Sequence, residues 1–258
     1  MNFLELLNRT GLIGAHRGAR YIAPENTMRS LKVSVGFCDF IEIDVQLSSD
    51  GTLIVIHDDT LERTTNVAEI DEFKSRKPYK VSDFSFKELS SLDYGSWFDG
   101  HVEPLLTLSE TLQFIKENAL FLNIEIKDMH TFFSDGQVVS AVLKEIQDWQ
   151  VQNKVLISSF RHEYLSLCKE RLPDVPTAAL VQEKHTENLL EYLKTLKVDA
   201  CNMSNELADK ENVSNMRKAG YGVNVYTVNE KTRAKELFEM GVNGIFTDNL
   251  DLFSNIKI

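Results

Sequence analysis

Short apolar runs at 121–126, 155–158, 177–181, 200–203, 222–228 and 244–247 alternate with stretches whose apolar residues recur at helical spacing. Val138, Val142, Leu143, Ile146 and Trp149 keep the helical period, and Leu189, Leu190 and Leu193 do so further on. Gly220 and Gly241 stand where a helix C-cap would hand over to the next strand. Alternation of these two periods predicts parallel βαβ units.

Upstream, a run at 12–15 ends in His16-Arg17-Gly18. Asn26 or Thr27 can cap a helix with Met28, Leu31 and Val35 on its inner face and Gly36 at its end. At 40–58, apolar residues alternate with Glu42 and Asp44, a turn signal follows at Asp50-Gly51, and a second β-branched run delivers His57. A two-residue type I′ turn pairs Ser49 with Thr52 and Asp44 with His57, which puts Glu42, Asp44 and His57 on one face. Counting 52–57 as a barrel strand gives nine strands. A parallel crossover needs about a dozen residues, far more than 48–51 supply. The run must therefore fold back as the second arm of a hairpin, leaving eight parallel strands.

The expected fold is an α/β (β/α)8 TIM barrel, one domain over 1–258, with a small insertion subdomain at 59–106 after strand 2. Trp97 and Phe98 read as the insertion's own small core. Thr107-Leu108-Ser109-Glu110 forms a capping box opening a helix with Leu108, Leu112 and Ile115 on its apolar stripe.

The length of 258 residues suits such a barrel, whose usual size is about 250 residues. A net charge of −11 argues against bulk binding of nucleic acid or anionic membrane. It leaves room for a small anionic substrate, since a metal ion and a few Arg or Lys reverse the sign locally. The start of the chain lacks the pattern of a signal peptide, and no apolar run approaches a membrane span. Cys38, Cys168 and Cys201 are scattered, as free thiols in a reducing compartment would be. A cytoplasmic protein without stable membrane insertion is the expectation. The number of subunits is not legible.

In such barrels the chemistry gathers at the C-terminal strand ends. These ends carry His16 and Arg17, Glu42 and Asp44, Glu125 and Lys127, then Ser158-Ser159-Phe160, Tyr226-Thr227-Val228-Asn229 and Thr247-Asp248. Glu42, Asp44 and Glu125 form an all-oxygen set suited to Mg²⁺ or Ca²⁺. The alternative is a buried ion network with Arg17 and Lys127. His16 and His57 can serve as a base and acid pair, while Arg17 and Lys127 can hold a phosphate oxygen. Together these groups suit phosphodiester cleavage. Phe160 and Tyr226 are candidate substrate walls. Glu25 and Asn26 read as helix caps rather than as supports for Arg17. His101, His130, His162 and His185 carry no role.

His16-Arg17-Gly18, Pro24-Glu25-Asn26-Thr27, Glu42-Ile43-Asp44-Val45, Asp50-Gly51, His57-Asp58 and Arg63-Thr64-Thr65 resemble glycerophosphodiester phosphodiesterase. So do Asn123-Ile124-Glu125-Ile126-Lys127, Ser158-Ser159-Phe160, Thr227-Val228-Asn229 and the run from Gly241 to Asp248. The resemblance covers nearly the whole chain in order. It implies a barrel that hydrolyses glycerophosphodiesters to sn-glycerol 3-phosphate and an alcohol. It also implies Glu42, Asp44 and Glu125 as ligands of one divalent cation, Mg²⁺ or Ca²⁺. His16 would be the general base, His57 the general acid, and Arg17 and Lys127 the phosphate contacts. Tyr226 departs from the family's more usual Trp, Asn243 from a frequent Asp, and Pro104-Leu105-Leu106-Thr107 from a Pro-Thr-Leu motif. Three other readings stand beside it: a lysophospholipase D-type activity at the same site, an aldolase with a Schiff base on Lys127, and a non-catalytic phosphate-binding barrel.

Overall fold

The computed structural model describes residues 1–184 and 188–253. Eight parallel strands form its frame: β1 (Leu12–Ala15), β2 (Phe40–Leu47), β4 (Leu122–Ile126), β5 (Val155–Ser159), β6 (Thr177–Val181), β7 (Ala200–Ser204), β8 (Gly222–Tyr226) and β9 (Gly244–Thr247). β1 pairs with both β2 and β9, so the sheet closes on itself as a TIM barrel. β3 (Leu53–Val55) runs antiparallel to β2 outside that ring, as the strand count requires.

Helices Met28–Ser34, Leu108–Glu117, Asp135–Trp149, His162–Arg171, Leu189–Leu196, Lys210–Lys218 and Lys231–Met240 cover the ring. Thr27, Thr107 and Ser134 open three of them with capping boxes, each side chain accepting the backbone N–H three residues on. Outward residues such as Ile41, Ile43, Ile124, Ile126 and Ile157 bury against Leu31, Leu112, Ile115, Val142 and Leu165 of these helices. Val35 lies beyond the end of its helix and is exposed; Met28 and Leu31 pack against the core as expected, with Ser30 and Ser34 buried beside them.

Inward positions follow from strand alternation and form tiers. The floor holds Leu12, Phe40, Leu156, Ala178, Ala200 and Phe246, sealed from below by Phe3, Leu6 and Leu7 at the N-terminal helix Phe3–Leu6. Phe3 meets Phe121 edge-on at 5.6 Å, and Phe40 meets Phe246 at 5.3 Å. Each such buried ring contributes roughly 1.5–3 kcal/mol. Gly14 makes room for Phe40: a Cβ there would lie 2.4 Å from the ring. Above the floor runs a chain of amides. Asn224 donates to Asn202 (2.9 Å), Asn202 to Asn123 (3.3 Å) and Asn123 to the Ser158 hydroxyl (2.8 Å).

The hairpin register differs from the expected one by a residue. Val45, Gln46 and Leu47 face Val55, Ile54 and Leu53, and the Ile56 N–H donates to the Asp44 carbonyl at 3.0 Å. Asp44 thus stands opposite Ile56, not His57, and the loop is Ser49-Asp50-Gly51. A type I′ turn needs positive φ at two positions, but only Gly51 has it, at +86°. Asp50 instead accepts from the Ser48 hydroxyl and from the Phe86 N–H, which ties the loop to the insertion. Strict alternation would now turn His57 to the wrong face. The strand ends at Val55, and the chain bends from His57 onward.

Beyond the hairpin, 3₁₀ turns and the short helices Phe86–Leu89 and Ser96–Asp99 surround a second apolar cluster. Ile54 and Ile56 join Leu61, Phe73, Tyr79, Phe84, Leu89 and Tyr94 in it. Arg76 lies 3.7 Å over the Phe84 ring. Trp97 and Phe98 touch each other edge-on, but Trp97 is 40% exposed, so they are not its core.

Candidate active site and metal centre

β2 projects Glu42 and Asp44 inward and β4 projects Glu125, with one oxygen of each lying within 4.8 Å of the others. Asp44 is held by Asn26 Nδ2 at 2.9 Å and Arg17 Nε at 3.3 Å on Oδ2. Its Oδ1 is buried without a hydrogen bond and has Lys127 Nζ at 3.5 Å. Glu42 accepts from the Arg17 N–H at 2.8 Å, and Glu125 from Lys127 Nζ at 2.7 Å.

Burial, then repulsion from the neighbouring carboxylates, pushes Glu42 well above the ordinary range and raises Glu125 as well. Burial also works against the Asp44 carboxylate, yet Lys127, Arg17 and His57 together hold it below its ordinary value. Six carboxylates (Glu25, Glu42, Asp44, Asp58, Glu125 and Asp248) meet four cationic side chains (Arg17, Arg20, Arg63 and Lys127), a deficit of two positive charges. A buried all-oxygen cluster with an unsatisfied Asp44 oxygen and that deficit fits a hard divalent cation. Lys127, wedged between Asp44 and Glu125, is held protonated despite its burial, which disfavours the amine a Schiff base needs.

His16 follows β1, and its Nδ1 lies 2.7 Å from Asp248 Oδ1 beyond β9. Burial opposes ionisation of Asp248, but hydrogen bonds from His16 and Asn229 and the charge of Arg20 hold it at about 2. His57 Nδ1 lies 2.6 Å from Asp58 Oδ1, and Arg63 clamps the other oxygen at 2.6 Å. Burial likewise opposes Asp58, and Arg63 with His57 holds it at about 2. Burial lowers both imidazoles, His16 and His57. The charge of Asp44 acts on the His57 ring, and that of His57 on Asp44.

Glu25 and Asn26 do not cap the helix Met28–Ser34; Thr27 does. Arg17 and Asn26 adopt positive φ, +56° and +57°. Glu25, 5% exposed, accepts from Arg17 Nη1 at 2.9 Å and Arg63 Nη2 at 2.7 Å, and pairs with Arg20 Nη2 at 2.9 Å. Asp58, Arg63, Asn229 and Asp248 lie in motifs that the sequence reading quotes without giving them a role, and Arg20 lies in none.

A small cavity of about 30 Å³ opens among His16, Glu42 and Glu125 and reaches down to Asn123, Asn202 and Phe246. Phe160 and Tyr226 form part of its wall and meet edge-on at 6.2 Å. His101 and His130 are exposed. His162 is half-buried, with its ring nitrogens 2.8 Å from the Tyr192 hydroxyl and 2.9 Å from the Leu180 carbonyl. His185 lies outside the described residues. Cys38, Cys168 and Cys201 are free thiols, each pushed up to about 12 mainly by burial. No helix among the described residues is long and apolar enough to cross a membrane.

The glycerophosphodiester phosphodiesterase of Bacillus altitudinis is 32% identical over 252 residues, covering 95% of this chain and 97% of its own. That of Bacillus subtilis (strain 168) is 32% identical over 261 residues, covering 94% and 85%. A solved phosphodiesterase of Oleispira antarctica, in complex with its product sn-glycerol-3-phosphate, superposes with a TM-score of 0.84 at 28% identity. That superposition covers 95% of this chain and 96% of the other. Residues 16–252 match the sequence profile of the glycerophosphoryl diester phosphodiesterase family, and the chain belongs to that family of enzymes.

Proposed function

We propose that this enzyme hydrolyses glycerophosphodiesters to sn-glycerol 3-phosphate and an alcohol, with Mg²⁺ or Ca²⁺ held by Glu42, Asp44 and Glu125. The observation that carries the reading is two carboxylate-backed imidazoles beside a buried three-carboxylate cluster. A divalent ion so bound supplies Lewis acidity and positive charge for the phosphoryl oxygens. Arg17 and Lys127 hold the phosphate, offering fixed cationic donors where negative charge develops.

His16 acts as the base. Asp248, held ionised, can only accept, so the neutral ring carries its proton on Nδ1 and presents the Nε2 lone pair to the attacking oxygen. His57 acts as the acid: with Nδ1 bonded to Asp58, its imidazolium form delivers a proton from Nε2 to the departing alkoxide. Water is added across one P–O bond, its proton going to the alcohol. Phe160 and Tyr226 wall the substrate. Residues 1–258 form one barrel domain carrying 59–106 as a subdomain, a reading supported by the second apolar cluster.

Glycerophosphocholine turnover by enzyme stripped with a chelator, then reloaded with each ion, tests this. Chelation is expected to abolish hydrolysis. His57→Ala is expected to lower kcat by about 10²–10⁴ with melting unchanged. Full turnover by the stripped enzyme would sink the metal assignment.

A further inference from the structure

Glu25 touches neither histidine partner, yet it stands between them. Arg20 bridges Glu25 Oε2 (2.9 Å) to Asp248 (3.4 Å), the acid behind His16. Arg63 bridges Glu25 Oε1 (2.7 Å) to Asp58 (2.6 Å), the acid behind His57. Two arms of the same chemistry thus leave one buried carboxylate and end on the Nδ1 of two different imidazoles. The arms come from separate segments: His16 and Arg20 follow β1, while His57 and Arg63 follow β3. A third arginine, Arg17, joins Glu25 to Asp44.

We propose that Glu25 is a positioning residue that fixes the ring orientation and tautomer of both His16 and His57, through Arg20 and Asp248 on one side and Arg63 and Asp58 on the other. The proposal rests on the phosphodiesterase reading above, in which a base and an acid must face opposite sides of one phosphorus. Independent anchors would let the two rings drift relative to each other. A shared anchor refers both to one frame, and a misplacement of about 1 Å is worth about 10²-fold in rate.

The test compares wild type with Glu25→Gln, Arg20→Gln and Arg63→Gln in the metal-loaded enzyme. Long-range proton–nitrogen NMR of the histidine rings, recorded where they are neutral, reports the tautomer; His16→Gln and His57→Gln assign the signals. Wild type is expected to hold the Nδ1–H form in both rings. Arg20→Gln is expected to mix the tautomers of His16 alone, Arg63→Gln those of His57 alone, and Glu25→Gln those of both. Each is expected to lower kcat by about 10–100-fold on glycerophosphocholine, the usual effect of losing a group behind the reacting one. KM is expected to change less than kcat.

A folded Glu25→Gln enzyme that keeps both ring signatures overturns the proposal and leaves a merely stabilising ion network. If Glu25→Gln does not fold, Arg63→Gln decides, because its side chain is 42% exposed: an unchanged His57 signature overturns the proposal. Absent turnover by wild type would defeat the phosphodiesterase reading alone, since the ring signatures are read without substrate.

Discussion

Asn202→Leu tests whether the amide chain inside the barrel holds the structure together. Leucine has similar bulk, so the change removes hydrogen bonds while leaving the packing nearly filled. Asn202, fully buried, donates to Asn123 and accepts from Asn224. Two amide groups would lose their partners, each at a cost of about 1–3 kcal/mol. The Asn202 to Asn123 bond is long, at 3.3 Å, and the adjoining cavity can admit water to one orphan. Both considerations favour the lower half, a loss of about 2–4 kcal/mol, measured by urea unfolding. Adding Asn224→Leu removes one orphan donor, so the double variant should lose less than the sum of the singles. A single variant within about 0.5 kcal/mol of wild type would show that the chain contributes no net stability.

Gly14→Ala is expected to destabilise by about 1–3 kcal/mol, because its Cβ would overlap the Phe40 ring in the floor; a melting temperature equal to wild type refutes the close approach. Glu25→Gln is expected to lose about 2–3 kcal/mol near neutral pH, below the 3–5 of a fully buried pair because Arg20 and Arg63 can reach water. Burial raises the Glu25 pKa, but Arg63, Arg17 and Arg20 lower it more, so its net shift is below 4.5. Its stabilisation is therefore present above that value and fades as pH falls through the folded one, and the gap to the variant should narrow on acidification. A gap that widens in acid contradicts this.

The barrel was legible because its strands and helices repeat two clean periods, and the observed strands agree with the apolar runs to within a residue or two at most ends. The hairpin was legible as a hairpin but not in register. Asp-Gly suggested a two-residue turn, while Ser48 and Asp50 capture backbone and side-chain partners that favour a three-residue loop. The three carboxylates were visible because two strands carry them at inward spacing. Glu25 was misread as part of a cap because its neighbours Asn26 and Thr27 are of the types that ordinarily cap helices, and Arg63 lies 38 residues away. The amide chain left a faint mark: one Asn within each of the apolar runs LNIEI, ACNMS and GVNVY. Only the closed ring shows that these face one another.

The pairing of β1 with β9 has a consequence for how the enzyme comes into being. His16 and Asp248 are 232 residues apart, and the strands that bring them together are the first and last of the ring. During synthesis His16 leaves the ribosome early, whereas Asp248 follows only after every strand of the ring, at about 5–20 residues per second. A growing chain therefore carries the three carboxylates and both imidazoles for many seconds before His16 can meet Asp248. On the proposed mechanism, full competence arrives only with closure of the ring.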